Sequence, residues 1–208
     1  MDAEPLQRTR GLLIALEGID QSGKRTQSNL LARELATRGY RASVWDFPDY
    51  TTPIGKQLRA YLAGKNQLDY HAVHLLYAAN KWERFLELNH EIANGHYVIV
   101  NRYSPSNLAY GIAHGLPLDW LKSLEKGLPK PGVVVVLDIV PQASFWRKRN
   151  RRDVHEADRE YLGKVRGAYL RLARRYAWKV IDAEQDPKAV HAELWTHISR
   201  LLRIRSSR

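Results

Sequence analysis

A glycine-rich segment with a single lysine is the part of the chain whose residue types best suit chemistry. Residues 18–26 read G-I-D-Q-S-G-K-R-T. Gly18 and Gly23 allow the backbone to curl, so that successive N–H groups face an anion, and Lys24 adds a full positive charge. The alternative is an ordinary glycine turn with a solvated lysine. Although Arg25 stands where the strict pattern has Ser or Thr, we predict that this segment binds a polyphosphate.

The residues on either side give this segment the setting that it needs. Residues 12–16 form a continuous apolar run, which is typical of a buried parallel strand, and residues 27–35 carry leucines at helical spacing. The helix would present its positive end to a bound anion. A strand, a loop and a helix in this order are the context in which phosphate-binding loops occur.

The rest of the chain alternates between strand-like and helix-like segments. Strands are predicted at 12–16, 42–47, 97–100, 133–138 and 178–182, and helices at 54–63, 70–94, 106–114, 118–126, 161–177 and 187–202. This alternation predicts one three-layer α/β/α domain over residues 1–208, doubly wound around a parallel sheet of about five strands.

The composition excludes several other kinds of site. The 208 residues contain no cysteine, which excludes disulfides and thiolate sites and fits a reducing cytoplasm, the expected compartment. No apolar run approaches the roughly 20 residues that a membrane-spanning helix needs. Residues 1–10 lack the apolar centre of a secretory signal and are expected to be a disordered lead-in.

The formal net charge of +11 has two explanations. Much of the excess lies in residues 147–152, which carry five positive charges in six positions, and part lies in a basic tail at 203–208. Such a cluster either binds nucleic acid or neutralises an anionic small molecule. It is not interleaved with the aromatic residues of a base-stacking surface, so we favour the small molecule over nucleic acid.

Several short motifs follow one another along the predicted elements. They are L-E-G-I-D-x-x-G-K-x-T-Q at 16–27, F-P at 47–48, L-L-Y-A-A-N-K-W-E at 75–83, N-R-Y at 101–103, G-L-P-K-P at 127–131 and V-V-L-D at 135–138. Together, and in this order, they resemble the thymidylate kinases, a family in the P-loop nucleoside monophosphate kinase group. The resemblance extends from about residue 11 to about residue 202.

The resemblance implies a P-loop fold and an enzyme that transfers the γ-phosphoryl group of ATP to dTMP, giving ADP and dTDP, with Mg²⁺. It also implies that the chain forms a homodimer and that the small molecules it binds are the nucleotides ATP and dTMP. The alternatives are a kinase for another nucleoside monophosphate and a catalytically weakened nucleotide-binding homologue. Nucleic-acid binding is supported by the charge alone.

The resemblance also assigns residues to sites. The ATP-binding loop would comprise Gly18, Ile19, Asp20, Gln21, Ser22, Gly23, Lys24, Arg25 and Thr26. The acceptor site would comprise Asp20, Phe47, Pro48, Tyr50, Tyr77, Lys81, Arg102, Ser106, Asn107 and Tyr110. The catalytic residues would be Lys24, Arg102, Asp20 and the lid arginines Arg147, Arg149 and Arg151, with the lid at 147–155.

Within the acceptor site, each residue type suits a different part of the nucleotide. The resemblance implies that Tyr77 stacks on thymine and that Lys81 reaches thymine O4. Arg102 would hold the acceptor phosphate, while Asn107 and Tyr110 would read the base and crowd the 2′ position. Asp20 would bind the 3′-hydroxyl or help to order the metal.

The chain departs from the family pattern at positions that carry charge. Asn101 stands where the family has Asp, and an amide cannot supply the negative charge that helps to hold magnesium. Gln21 stands where some members have a catalytic basic residue. We therefore expect the lid to supply that charge, and Mg²⁺ to be held through the phosphates, with Asp20 as a further candidate ligand.

Overall fold

The computed structural model describes residues 11–147 and 158–206, and the side chains as far as Leu202. The strands are β1 (Leu12–Glu17), β2 (Ala42–Asp46), β3 (Tyr97–Asn101), β4 (Val133–Asp138) and β5 (Lys179–Asp182). The helices are α1 (Lys24–Thr37), α2 (Pro53–Leu62), α3 (Tyr70–Glu83), α4 (Phe85–Ala93), α5 (Ser104–Ala113), α6 (Leu118–Leu124), α7 (Pro141–Arg147), α8 (Arg159–Tyr176) and α9 (Pro187–Ser206).

The strands form one parallel sheet in the order β2-β3-β1-β4-β5, which confirms the predicted sheet. β1 lies in the middle of the sheet with all six of its residues buried, which explains its continuous apolar sequence before Glu17. From β1 the chain builds first one side of the sheet and then the other. Ligands of such sheets bind where the strand order reverses, beyond the carboxyl ends of the strands. The glycine-rich segment follows β1 at this place.

Helices cover both faces of the sheet. Alternate residues of a strand face opposite sides. Accordingly, Ile14 and Leu16 of β1 belong to the same apolar cluster as Leu31 of α1. Leu13 belongs to a second cluster with Leu88 of α4. The central strand is therefore fixed from both sides, and the loop that follows it starts from a rigid position.

The prediction of one helix over 70–94 is wrong, because the chain turns at Arg84 between α3 and α4. The Arg84 backbone N–H donates to the carbonyl oxygen of Lys81, three residues earlier. The Arg84 guanidinium donates to Asp49 Oδ2 at 2.8 Å and lies 4.6 Å from the centre of the Trp45 ring. These contacts hold the turn against the loop after β2, so that α3 packs on α2 and α4 packs on β3.

Two other helices begin two residues before their predicted starts, and α9 ends four residues after its predicted end. α5 begins at Ser104, and α8 begins after Asp158, whose side chain caps it by accepting from the Tyr161 N–H at 2.9 Å. The predicted lead-in (1–10), the lid beyond Arg147 (148–155) and the end of the tail (207–208) lie outside the described residues. Within the described part of the chain, no helix has the length and apolar character to cross a membrane.

Candidate active site

The glycine-rich segment forms a loop from β1 to α1 that surrounds the side chain of Lys24. Gly18 has a φ of +129°, and a Cβ atom there would lie 2.3 Å from the carbonyl oxygen of Leu137, so this position requires glycine. Gly23 precedes α1 with a φ of +91°. Lys24 Nζ donates to the carbonyl oxygens of Gly18 at 3.0 Å and Ile19 at 2.9 Å. The loop thus holds an ammonium group at the positive end of a helix, where an anion is stabilised.

A cleft of about 710 Å³, the loop cleft, opens beside this segment. It is lined by Gln21, Ser22, Gly23, Lys24, Arg25, Thr26, Gln27, Arg147, Ala183, Gln185, Pro187 and Val190. Six of the nine residues predicted for ATP therefore line it. Of the other three, Gly18 and Ile19 accept from Lys24, and Asp20 lines a second cleft.

Arg147, at the end of α7, connects two walls of the loop cleft. Its Nη1 donates to the carbonyl oxygen of Gln21 at 3.0 Å, and its Nη2 donates to that of Ala183 at 2.8 Å. The guanidinium therefore lies beside the phosphate-binding segment, as the lid prediction requires. The other predicted lid arginines, Arg149 and Arg151, lie outside the described residues.

A second cleft of about 400 Å³, the strand-end cleft, lies at the carboxyl ends of β1, β2 and β3. All ten residues predicted for the acceptor line it: Asp20, Phe47, Pro48, Tyr50, Tyr77, Lys81, Arg102, Ser106, Asn107 and Tyr110. Lys24 and Arg25 line both clefts. Two anions bound in the two clefts would therefore meet at these two cations.

Arg102 and Asp20 form an ion pair in the strand-end cleft. Arg102 follows β3 with a φ of +60°, and its Nη2 lies 2.5 Å from Asp20 Oδ1. The Tyr110 hydroxyl donates to the other oxygen of Asp20 at 3.2 Å. Burial alone would raise the pKa of Asp20, but the charges of Arg102 and Lys24 outweigh burial and hold this pKa at about 2. Asp20 is therefore ionised at neutral pH, with both of its oxygens engaged.

Glu17 is a buried acid to which sequence reasoning assigned no role. Its carboxylate accepts from the backbone N–H of Tyr103 at 2.8 Å, from the Tyr169 hydroxyl at 3.0 Å and from the Ser106 hydroxyl at 2.5 Å. Burial raises the pKa of Glu17, and these hydrogen bonds oppose the rise. The carboxylate joins the end of β1 to α5 and α8, and so fixes the backbone next to Arg102. The sequence did contain a signal for Glu17, because an acidic residue directly follows the apolar run of the buried strand β1.

Asn101 at the end of β3 lies beside Asp46 at the end of β2, its partner in the parallel register. Asn101 Nδ2 donates to Asp46 Oδ1 at 2.8 Å and to Ser28 Oγ at 3.0 Å. Asn101 Oδ1 is buried without a hydrogen-bond partner among the described residues. Because Mg²⁺ binds carboxylate and amide oxygens, Asp46 and Asn101 together fit this cation. Sequence reasoning missed Asp46, since only the pairing of β2 with β3 brings it to Asn101.

Lys81 forms an ion pair with Glu125 beneath the strand-end cleft. Lys81 Nζ lies 2.8 Å from Glu125 Oε1, and the two side chains are only 4% and 6% exposed. Sequence reasoning predicted Lys81 and missed Glu125, which follows α6 and carries no local signal. Tyr50 and Tyr77, which also line the cleft, pack against a small apolar cluster that includes Val73. The Phe47–Pro48 peptide bond at the cleft is cis.

Comparisons with known proteins agree with this geometry. The family model described as thymidylate kinase matches residues 16–194. The chain is 38% identical over 187 residues to the thymidylate kinase of Arabidopsis thaliana, covering 90% of this chain and 70% of that protein. It is 35% identical over 193 residues to the thymidylate kinase of Homo sapiens, covering 89% and 88%.

A solved structure of thymidylate kinase from Candida albicans has the same fold. It superposes with a TM-score of 0.83 at 30% sequence identity, covering 92% of each chain. The family match spans most of the chain, and four of the six motifs that carry the resemblance contribute residues to the two clefts. The chain belongs to the thymidylate kinase family.

Proposed function

We propose that the chain transfers the γ-phosphoryl group of ATP to dTMP, giving ADP and dTDP. The observation that carries this proposal is the meeting of the two clefts at Lys24 and Arg25. Phosphoryl transfer requires two anionic substrates to be placed in line and the charge of the transferred group to be neutralised. Membership of the thymidylate kinase family favours dTMP over other acceptors.

Each cleft would bind one substrate. In the loop cleft, the backbone N–H groups and Lys24 would hold the phosphates of ATP. In the strand-end cleft, Arg102 would hold the acceptor phosphate. Asp20, its ion-pair partner, would then lie near the sugar. Tyr77 and Lys81 would contact the base. Lys24 is then positioned to stabilise charge that develops between the two nucleotides.

Replacing the loop lysine tests the function. Lys24→Ala should lower the rate of ADP release with ATP and dTMP by roughly a thousandfold, because positioning and charge stabilisation dominate this reaction. Lys122→Ala, at a solvent-exposed ion pair on α6, is the control. A coupled assay on both variants, with thermal unfolding to verify folding, measures the effect. Near-normal turnover in Lys24→Ala would contradict the proposal.

We further propose that Mg²⁺ binds together with ATP and that Asp46 and Asn101 are its ligands from the protein. When bound, the cation would neutralise charge on the phosphates. The support is Asn101 Oδ1, which is buried next to a carboxylate and has no hydrogen-bond partner in the described part of the chain. Asp20 is the weaker candidate ligand, because Arg102 and Tyr110 already occupy its two oxygens.

Two substitutions at the strand ends test the metal proposal. Asp46→Asn removes the local carboxylate and should raise the Mg²⁺ concentration for half-maximal rate. Asn101→Asp should lower it, and should also make thermal stability depend on Mg²⁺, because two facing carboxylates repel each other without a cation. Asp119→Asn, at a carboxylate that is 93% exposed, is the control. An unchanged Mg²⁺ requirement in both variants would assign the metal to other ligands.

We propose that Arg147 belongs to a lid that acts on ATP. Its guanidinium donates to the carbonyl oxygen of Gln21, the residue that stands where some family members have a catalytic basic residue. Arg147→Ala should lower kcat more than it raises KM, by up to about a thousandfold. Arg174→Ala on the exposed face of α8 is the control. Wild-type kcat together with weakened DNA binding in Arg147→Ala would favour the nucleic-acid alternative.

We also propose that the chain forms a homodimer through α3 and α4. These helices expose Leu75, Trp82 and Leu86, which are 50%, 39% and 78% accessible, and exposed apolar side chains of this size favour association. Sedimentation should show a dimer at micromolar concentration, and Leu86→Glu should shift it towards monomer. Tyr176→Glu on α8 is the control. A monomeric wild-type protein would refute the dimer.

A further inference from the structure

We propose that Glu125 and His74, which do not line the strand-end cleft, are positioning residues that determine which hydrogen-bonding edge of a base the cleft accepts. The inference rests on the proposed function, in which Lys81 contacts the base, and on the prediction that Asn107 reads the base. Both of these side chains line the cleft, and both donate to the same oxygen, Glu125 Oε1, at 2.8 Å and 2.9 Å.

Lys81 is held so that it can give only one more hydrogen bond. Its ammonium group has three N–H donors. One donates to Glu125 Oε1, and another donates to the carbonyl oxygen of Tyr77 at 3.0 Å. One N–H is left for a ligand in the cleft. Glu125 lies 2.8 Å from this buried ammonium group and offsets the cost of burying it away from water.

Glu125 also fixes the orientation of the Asn107 amide. An ionised carboxylate only accepts hydrogen bonds, so the group of Asn107 that faces Glu125 must be its NH₂. The second N–H of this group points to the carbonyl oxygen of His74 at 3.4 Å. Both donors of Asn107 are therefore engaged within the protein, and only its Oδ1 has capacity left for a ligand.

The orientation of Asn107 in turn determines the tautomer of His74. Its Nδ1 lies 2.6 Å from Asn107 Oδ1, and since that oxygen only accepts, Nδ1 must carry the hydrogen. Burial lowers the pKa of His74 to about 4, so the ring is neutral and its Nε2 accepts. The donor is His114 Nδ1, 3.0 Å away. The His114 ring is stacked between Tyr70 and Tyr161, with ring centres 3.8 Å and 4.7 Å apart, and this stacking holds His114 Nδ1 next to His74.

The cleft consequently offers one donor from Lys81 and one acceptor from Asn107. A base edge with a carbonyl oxygen beside a ring N–H, such as O4 and N3–H of thymine, satisfies both. The edge of cytosine presents an amino group beside a bare ring nitrogen, and this arrangement opposes a donor to a donor and an acceptor to an acceptor. Leaving buried polar groups unpaired in this way is what makes such sites selective.

The test uses two nucleotides that differ only in this edge, dTMP and 5-methyl-dCMP, in calorimetric binding to the full chain without ATP. The discrimination is the dissociation constant of 5-methyl-dCMP divided by that of dTMP. We expect this ratio to fall about tenfold in Glu125→Met, which removes the acceptor, and in His74→Leu, which removes the donor. Glu125→Gln and His74→Asn keep an acceptor and a donor in place and should retain most of the discrimination. ATP affinity should be unchanged in all four variants.

The outcomes separate the two proposals. If wild-type protein binds dTMP and the ratio is the same in all four variants, even with both affinities weakened together, Glu125 and His74 are merely structural and this inference fails alone. If wild-type protein binds neither nucleotide, the proposed function fails and this inference fails with it. Because Glu125 and His74 are replaced separately, loss of folding in one variant leaves the other to decide.

Discussion

The carboxylate of Glu17 joins the segments from which both clefts are built. It ends the central strand immediately before the phosphate-binding loop, and it accepts from Tyr103 at the start of α5 and from Tyr169 of α8. Arg102, which directly precedes Tyr103, has a left-handed backbone conformation. A backbone conformation of this kind persists only where its surroundings over-determine it. The Glu17 hydrogen bonds supply that determination and hold the two clefts in a fixed relation.

Around this junction, two cations of the strand-end cleft each have an acid as partner. Arg102 is paired with Asp20, and Lys81 is paired with Glu125. A buried cation without an anion would be destabilising and would draw water into the cleft. The paired acids therefore keep the cleft charged and ordered in the unliganded protein. Because part of each cation already donates to its acid, few N–H donors remain for a ligand, and the ion pairs fix their directions.

The fold could be predicted from the sequence because its signals are local, whereas the acceptor residues were predicted from the resemblance to the thymidylate kinases. The apolar run before Gly18 and the leucines after Lys24 define β1 and α1 within one short stretch. Glu125, His74 and Asp46 could not be assigned, because their partners lie on other elements. The turn at Arg84 was missed for the same reason, since Asp49 and Trp45 hold it from the adjoining loop and strand. A helical pattern that continues through such a contact gives no warning of it.

The pairing of Asp46 with Asn101 bears on how relatives should be compared. The two residues lie directly opposite each other on neighbouring parallel strands, so a carboxylate can be exchanged between them with little change of position in space. Column by column, an alignment would register Asn101 as a lost acid and Asp46 as an unrelated variable site. If the two alignment columns are considered as one place in the structure, this place still carries one carboxylate, that of Asp46. Covariation between them, and not identity at either, is the trait that selection on this corner of the cleft would preserve.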